Sequence, residues 1–291
     1  MKKCNVHRIV AIVSGLCLVL VLAAVLVPVF FFDQFRIGGE SMNPTLERGD
    51  HILVDKMLMG ARIYKRYDFS NPELDCFRMP GIRGIRTGDI AVFNFPYGRE
   101  WGKIGFRINY VYAKRCIGCP GDTVWIEDGF YRNSNTPGMV IGSKKMQGML
   151  ASTPDTVLLS NPSVRNIPYA RVQGWTIRDF GPMYIPGAGD RIPLNAETVK
   201  FYGAQIEYET GCRPDAIDGR VLIGGQPYEE YEFRTDWYFF GGDNVLNSKD
   251  SRYVGLVPED YIVGVADRIL FSRNPYTGKF DWGRFMKKIK D

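Results

Sequence analysis

The stretch GGESMNPTLERGDHILVDK, residues 38–56, joins a turn-rich segment to a short apolar run. Its second half places Gly49-Asp50 before HILVDK, and Gly-Asp supplies a turn after which a run rich in β-branched residues forms a strand. The same arrangement recurs at residues 88–89, 121–122 and 189–190, before IAVFNF, TVWIED and RIPLN. A fifth pair, Gly242-Asp243, precedes no such run. This pattern predicts a mainly β protein.

Other parts of the chain strengthen that prediction. Further strand candidates are FRINYVYAKRCI, GRVLIGG, DWYFFG and IVGVADRILFS. Helical periodicity is scarce outside the N-terminus, and AETVKFYGAQIEYE, residues 196–209, is the best helix candidate there. We therefore expect a sheet-rich barrel or sandwich.

The N-terminus differs from this globular pattern. Residues 9–32 contain no charged side chain, and they follow Lys2, Lys3 and Arg8. As a helix this run reaches about 35 Å, enough to cross a hydrocarbon core of ~30 Å. It is longer than the apolar region of a secretory signal and ends without a small-x-small cleavage site. We expect an uncleaved transmembrane anchor, with the preceding positive charges favouring a cytoplasmic N-terminus.

Composition then divides the chain. We predict an N-terminal tail over residues 1–8, an anchor over 9–32, and a core made of 33–127 and 237–281. Residues 128–236, rich in Pro, Gly, Asn and Ser, form an inserted loop-rich β subdomain, and 64–86 form a smaller insertion. Residues 282–291 form a basic, amphipathic C-terminal tail, either a surface helix or a contact with acidic lipid heads.

Charge and cysteines exclude some classes of function. The net charge of +5 is mild and its basic residues are scattered, unlike the basic stripe of a nucleic-acid binder. Cys116 and Cys119 form a lone C-x-x-C, which lacks two further ligands for zinc and a thioredoxin-like context for redox chemistry. We expect packing cysteines and no metal, while a Cys76–Cys212 disulfide stays open.

Ser41 is the nucleophile candidate, and it needs a base. The chain has two histidines: His7 precedes the anchor, and His51 is expected to be a surface strand residue. The other base available to a serine is a neutral lysine, which requires burial to lower its pKa. Lys114 lies inside the apolar strand candidate INYVYAKRCIG, whereas Lys56 adjoins Asp55 and is a weaker competitor. Composition alone would place Lys114 on the outside of an alternating strand.

Four motifs in order resemble those of bacterial type I signal peptidases. GESMNPTLERGDHILVDK is similar to the nucleophile motif, and RTGDIAVFNFP to the second strand of that family. YAKRCIGCPGDTV is similar to the element that carries the lysine base, and GGDNVLNSKDSRYVGLVP to the last motif. The matches cover residues 35–54, 87–96, 112–124 and 239–265.

The resemblance implies a cofactor-independent and metal-independent Ser-Lys endopeptidase, with the core as its catalytic domain. Ser41 would be the nucleophile, Lys114 the general base, and Ser248 would hydrogen-bond and orient Lys114. Asp250 and Arg252 would pair beside this dyad. Gly39 stands where some members have a serine, so the oxyanion hole would use backbone N–H groups, including that of Ser41. Shallow apolar substrate pockets would be lined by Phe35, Ile37, Met42, Leu46, Tyr112 and Ala113.

Implied partners are signal-peptide-bearing preproteins and the lipid bilayer, with no nucleic acid. The implied location is the bacterial cytoplasmic membrane, crossed once, with the catalytic domain on the outer side. Ser41 follows the anchor by nine residues, at most about 32 Å of chain, so its site would lie near the membrane surface.

Two other functions fit part of this pattern. A membrane-anchored binding or scaffold module with a degenerate site would not need Ser41, Lys114, Ser248 and Asp250 together, and all four are present. A self-cleaving Ser-Lys peptidase of the repressor type would carry a nucleic-acid-binding head or a short arm in place of the anchor.

Overall fold

The computed structural model describes residues 2–66, 74–96, 102–161, 164 and 173–289, with side chains from Arg8 onward. The chain begins with helix α1, Lys2–Leu26, which continues as a π-helical turn over Val27–Phe31. Residues 8–31 are long and apolar enough to cross a membrane, and the span is not buried against the rest of the protein. This helix fits the predicted anchor by length and composition.

The remaining elements are mostly short strands. In chain order the strands are β1 (Phe32–Arg36), β2 (Asp50–Asp55), β3 (Arg62–Tyr64), β4 (Cys76–Arg78), β5 (Ile90–Asn94), β6 (Val111–Gly118), β7 (Thr123–Glu127), β8 (Phe130–Asn133), β9 (Phe180–Tyr184), β10 (Arg191–Pro193), β11 (Asp215–Ile217), β12 (Arg220–Ile223), β13 (Gln226–Tyr228), β14 (Glu230–Glu232), β15 (Trp237–Gly241), β16 (Val257–Pro258), β17 (Ile262–Ser272) and β18 (Lys287–Lys288). The helices after α1 are α2 (Lys144–Ser152), α3 (Asp155–Ser160), α4 (Ala196–Thr210) and α5 (Ser251–Val254). The predicted mainly β fold is confirmed.

Among the described residues, an eight-stranded antiparallel sheet forms the centre of the protein. Its order is β1-β2-β17-β5-β6-β15-β16, with β18 also paired to β17. The long strand β17 pairs with β2 on one side and β5 on the other, and its register shifts after Ile262, Ala266 and Ile269. Such bulges increase the local twist of a strand. The sheet curls into a half-barrel.

Both faces of this sheet are covered by apolar side chains. On β5, Ala91 and Phe93 contribute to the larger buried cluster, whereas Ile90 and Val92 contribute to a smaller one. This alternation is what a strand buried on both faces requires. The smaller cluster also contains Met42 and Leu46 from the segment between β1 and β2. That segment therefore lies across one face of the sheet.

The predicted insertion carries its own small sheets. Strands β8, β7 and β9 form one three-stranded sheet, and β11, β12 and β13 form another. The predicted helix at residues 196–209 is confirmed as α4, which begins with a capping box between Asn195 and Thr198 and ends at Gly211, whose φ is +75°.

The division at residues 127 and 128 stays a prediction. β7 lies on the core side of that division, yet it pairs with β8 and β9 of the insertion. Buried side chains of both parts, such as Val124, Ile206 and Phe239, belong to one hydrophobic cluster. The insertion is therefore packed on the main sheet through a shared core.

The prediction of a C-terminal surface helix is wrong. Residues Trp282–Arg284 form a single 3₁₀ turn, and Lys287–Lys288 add strand β18 to the edge of β17. Lys287 and Lys288 are both exposed, and Ile289 after them packs against the smaller cluster.

Ile52 is completely buried in the middle of β2, beneath the segment that connects β1 to β2. Truncating its side chain tests how much this packing contributes to the stability of the protein. Ile52→Ala is expected to lower the free energy of unfolding by about 2–5 kcal/mol, since it leaves a cavity in a close-packed cluster. The matched control is Ile82→Ala, because Ile82 is 74% exposed. Denaturant unfolding of both variants, followed by tryptophan fluorescence, measures the difference. Equal losses would contradict this account of the core.

Candidate active site

Ser41 lies in the segment that connects β1 to β2. The base of this connection is closed by two backbone hydrogen bonds: Ile37 N–H donates to Asp50 O at 2.8 Å, and Gly49 N–H donates to Ile37 O at 2.9 Å. Met42, immediately after Ser41, is 1% exposed and anchors the connection in the smaller cluster. The turn is therefore held at both its base and its centre.

Lys114 approaches Ser41 from strand β6. Its Nζ forms a hydrogen bond with Ser41 Oγ, and the residue is only 2% exposed. Three strand spacings separate β2 from β6, roughly 14 Å in a flat sheet. Lys114 pairs with Ala91, which lies on the larger-cluster face of the sheet, so the contact with Ser41 requires the sheet to curl between β2 and β6.

The surroundings of Lys114 make it a candidate base. Burial lowers the pKa of Lys114 to about 8, and the Arg252 guanidinium acts in the same direction. The Asp250 and Asp243 carboxylates oppose this shift. A lysine with such a pKa is neutral in a substantial fraction of molecules near neutral pH, so it can take the proton of a serine hydroxyl.

Asp250 and Arg252 come together beside the dyad as a completely buried ion pair with a 2.8 Å contact. Burial is the largest influence and raises the pKa of Asp250, but the Arg252 guanidinium, the Ser248 hydroxyl and the Lys114 ammonium together outweigh it, and the net direction is downward. Asp250 also accepts the Gly242 N–H at 2.9 Å, and Arg252 donates to Val245 O at 3.0 Å. The pair therefore fixes the turn that follows β15.

Ser248 is placed differently from the prediction. It is 7% exposed, and no described residue forms a well-aligned hydrogen bond with its Oγ, although the hydroxyl lies near enough to Asp250 to lower the pKa of that carboxyl. The predicted hydrogen bond to Lys114 is absent because the Ser248 side chain packs against Gly242 instead. Ser248 thus lines the site without orienting the base in this structure.

Gly242 was not singled out from the sequence as a site residue, although it occupies the tightest position here. A Cβ at Gly242 would lie 2.5 Å from Ser248 Cβ and 2.5 Å from the Ser41 carbonyl oxygen. Distances this short do not occur for real side chains, so only glycine allows the β15 turn to lie against the nucleophile. The next residue but one, Asn244, donates its backbone N–H to the same Ser41 oxygen at 3.0 Å.

A second buried ion pair was also missed. Arg115, next to Lys114, binds Asp243 through two 2.8 Å contacts, and both side chains are buried. Thr45 Oγ1 donates to the same carboxylate, which ties the nucleophile segment to β6 and β15. The available signal was Gly242-Asp243, the one Gly-Asp pair that does not precede a strand run.

The C-terminal segment holds the other end of the nucleophile segment. Arg284 donates to Asp50 at 2.8 Å, to Glu47 at 2.8 Å and to the Thr45 carbonyl at 3.1 Å. In the sequence, Arg284 is one of several basic residues of the C-terminal tail, and that composition did not indicate this role.

His51 was considered as a base and set aside in the sequence analysis. In the structure it stacks on Phe271 at 4.2 Å and contacts Gln34, and neither contact involves Ser41 or Lys114.

The residues predicted for substrate pockets fall into two groups. Ile37, Met42 and Leu46 are buried members of the smaller cluster, and Phe35 and Ala113 pack against it. Tyr112 lies on the other face of β6, where its ring is 5.4 Å from Lys114 Nζ. The first five therefore belong to one apolar cluster, in which only Phe35 and Ala113 are partly exposed, and Tyr112 flanks Lys114.

Backbone donors are available for an oxyanion. Among the described residues, none accepts a hydrogen bond from the Ser41 N–H. Gly39 is exposed, and a Cβ there would meet no atom within 4 Å. The predicted use of backbone N–H groups is thus compatible with the open space next to Ser41, and it stays a prediction.

Cysteines and metal ligands add nothing to this site. Cys76 and Cys212 are free thiols, so the disulfide left open by the sequence is not formed. Within the described ranges, no group of three or more His, Cys, Asp or Glu side chains could hold a metal ion.

Comparison with known proteins places this geometry in a family. The model of the family described as signal peptidase, peptidase S26, matches residues 9–165 and 185–271. The chain belongs to this family. The family prediction made from the four motifs is therefore confirmed.

Individual relatives agree with this assignment. The chain is 40% identical to signal peptidase I of Pseudomonas aeruginosa over 84% of its own length, and the alignment spans 66% of that relative, just under two thirds. It is 24% identical to signal peptidase I of Buchnera aphidicola over 99% of this chain and 82% of the relative. It is 26% identical to signal peptidase I T of Bacillus subtilis, over 87% and 81% respectively.

Replacing Gly242 tests whether the turn that follows β15 positions Ser41 by lying close against it. Gly242→Ala is expected to reduce acylation of Ser41 by an activated acyl donor at least about a hundredfold, since displacement by about 1 Å has that effect on a reacting group. Gly148→Ala in α2 is the matched control, because a Cβ there meets no atom within 4 Å. Wild-type acylation rates in Gly242→Ala would refute the steric argument.

Proposed function

We propose that this protein is a membrane-anchored serine endopeptidase that removes signal peptides from exported preproteins. The observation that carries the proposal is the contact between Ser41 Oγ and the buried Nζ of Lys114. Membership of the signal peptidase family supports the substrate class. Ser41 acts as nucleophile and Lys114 as general base.

The reaction follows from the positions of these groups. Neutral Lys114 takes the proton of Ser41 Oγ as the oxygen attacks the scissile carbonyl carbon. Backbone N–H groups, including that of Ser41, stabilise the resulting oxyanion. Lys114 then gives the proton to the leaving amine, and a water molecule activated by the same lysine releases the acyl group. Asp250, Arg252 and Ser248 act on this dyad through packing and charge.

A substrate strand has a defined place to bind. Residues 111–114 of β6 pair with β5 along one edge. Along the other edge of β6, pairing with β15 begins only at Arg115. Within the described chain, β1 likewise pairs only with β2 and has a free outer edge. An extended peptide can add to such edges through main-chain hydrogen bonds. The partly exposed Phe35 and Ala113, which pack on the buried Ile37, Met42 and Leu46, would receive its small side chains.

The anchor would place this site at the membrane. Strand β1 begins directly after the π-helical turn that ends α1. The catalytic domain would lie on the outer side of the cytoplasmic membrane, with the N-terminus inside. A preprotein whose signal peptide lies in the bilayer would then present its cleavage segment close to Ser41.

Variants of the dyad test the proposed chemistry. Ser41→Ala and Lys114→Arg are each expected to lower cleavage of a preprotein by about 10⁴-fold, because one lacks the nucleophile and arginine does not act as a neutral base. Lys56→Met is the control, since Lys56 contacts Pro28 O and Asp33 rather than Ser41. The assay uses detergent-solubilised full-length protein and gel analysis of the cleaved product. Cleavage retained in either dyad variant would exclude the mechanism, and binding without cleavage by the unaltered protein would favour the scaffold alternative.

The pH dependence provides an independent test. Because the pKa of Lys114 in the folded protein is about 8, the active neutral form is lost as pH falls below that value. We expect kcat/KM to decrease tenfold per pH unit on the acid side and to level off above about pH 8. Measurement of kcat/KM from pH 6 to 10 gives the apparent pKa. A value near the ordinary lysine pKa of about 10.4 would contradict the role of burial.

A further inference from the structure

Two cysteines unused by the proposed mechanism lie in contact at the end of the strand that carries Lys114. Cys116 belongs to β6, and Cys119 follows in the next turn. Their sulfur atoms are 3.6 Å apart, and both are free thiols. The sequence predicted packing cysteines, but packing alone does not require two thiols in contact.

The two thiols differ in access and in acidity. Cys116 is completely buried, with its Sγ 3.4 Å from Gly118 O, and burial raises its pKa well above the usual value. Cys119 is partly exposed, and the hydrogen bond from Cys116 lowers its pKa. Opposing this, burial and the Asp122 and Asp89 carboxylates raise it.

The contacts around Cys119 hold it toward its partner. Its Sγ lies 3.4 Å from Ile85 O and 3.9 Å from Thr87 Oγ1, and its backbone N–H donates to Asp122 at 2.8 Å. An accessible thiol of lowered pKa beside a buried one is the arrangement that thiol–disulfide exchange uses. A third metal ligand is not available among the described residues.

We propose that Cys116 and Cys119 are a dithiol site that reacts with disulfide compounds and closes into an intramolecular disulfide. The Cys119 thiolate attacks one sulfur of the oxidant, forming a mixed disulfide and releasing one thiolate. Cys116 then loses its proton and attacks Cys119 Sγ, which forms the Cys116–Cys119 bond and releases the second thiol. The protein loses two protons and two electrons, that is two hydrogen atoms, and one disulfide of the oxidant becomes two thiols.

This site goes beyond the proposed peptidase function and does not depend on it. The 3.6 Å separation exceeds a disulfide bond length of about 2.05 Å, so closure needs a small approach of the two sulfurs. The partly exposed Cys119, located in a turn, is the side that moves. In an oxidising compartment the disulfide form would be favoured.

Glutathione supplies the test, in full-length protein carrying Cys76→Ser and Cys212→Ser. This background keeps Cys4, Cys17, Cys116 and Cys119. The protein is equilibrated with oxidised or reduced glutathione, quenched with acid, alkylated under denaturing conditions and analysed by peptide mass spectrometry. In oxidised glutathione we expect both Cys116 and Cys119 to lose their label together, with a mass lower by two hydrogens, and dithiothreitol to restore both.

Single variants separate the two steps. With Cys116→Ser the resolving thiol is absent, and a glutathione adduct on Cys119 should increase at least tenfold over the background protein. With Cys119→Ser, Cys116 should remain a free thiol because it is buried. Full alkylation of both cysteines in oxidised glutathione would overturn the proposal, as would a stable glutathione adduct on Cys119 while Cys116 is present. The readout is chemical, so it is independent of whether the protein cleaves preproteins.

Discussion

Burial of Lys114 against Ser41 Oγ removes the water that normally stabilises an ammonium group, and the proposed role of Lys114 as a base depends on this desolvation. A shift from 10.5 to about 8 corresponds to roughly 3 kcal/mol of lost stabilisation of the charged form. The rest of the structure has to supply that energy through packing. The curled sheet, the two apolar clusters and the nucleophile segment laid across one face together keep Lys114 at 2% exposure.

The charges near the dyad are arranged so that desolvation decides the outcome. An unpaired carboxylate beside Lys114 would hold the proton on the amine and cancel the effect of burial. Asp250 is matched by Arg252, and Asp243 is matched by Arg115, each within a buried ion pair. Breaking either pair by removing one partner would leave a buried charge without compensation, which is strongly destabilising. The same pairs also hold the turn that follows β15, which contacts Ser41.

The sequence predicted eight of the strands (β2, β5, β6, β7, β10, β12, β15 and β17) and the helix at residues 196–209 from local patterns of turn residues and apolar alternation, and it predicted the family from four motifs. It also singled out Ser41 and Lys114, since a serine without an available histidine needs another base. It failed where long-range packing decides the structure. At Gly242 the turn after β15 lies so close to Ser41 that only glycine fits, and no local sequence pattern reveals this contact. Arg284 binds Asp50 from a segment whose composition indicated a surface helix. The hydrogen bond expected between Ser248 and Lys114 failed for the same reason, because tertiary packing turned that side chain toward Gly242.

The residues that contact one another in this site are far apart along the chain. Ser41 and Lys114 are separated by 73 positions, and Asp50 and Arg284 by 234. Contacts that close such long loops form only after the intervening strands have paired. During synthesis, a chain that has emerged only as far as β5 contains Ser41 but not yet Lys114. The contact of Arg284 with Asp50 forms last, because Arg284 is synthesised after strands β1 to β17. The proposed nucleophile therefore meets its proposed base only once β6 has paired with the sheet, before the contact of Arg284 with Asp50 can form.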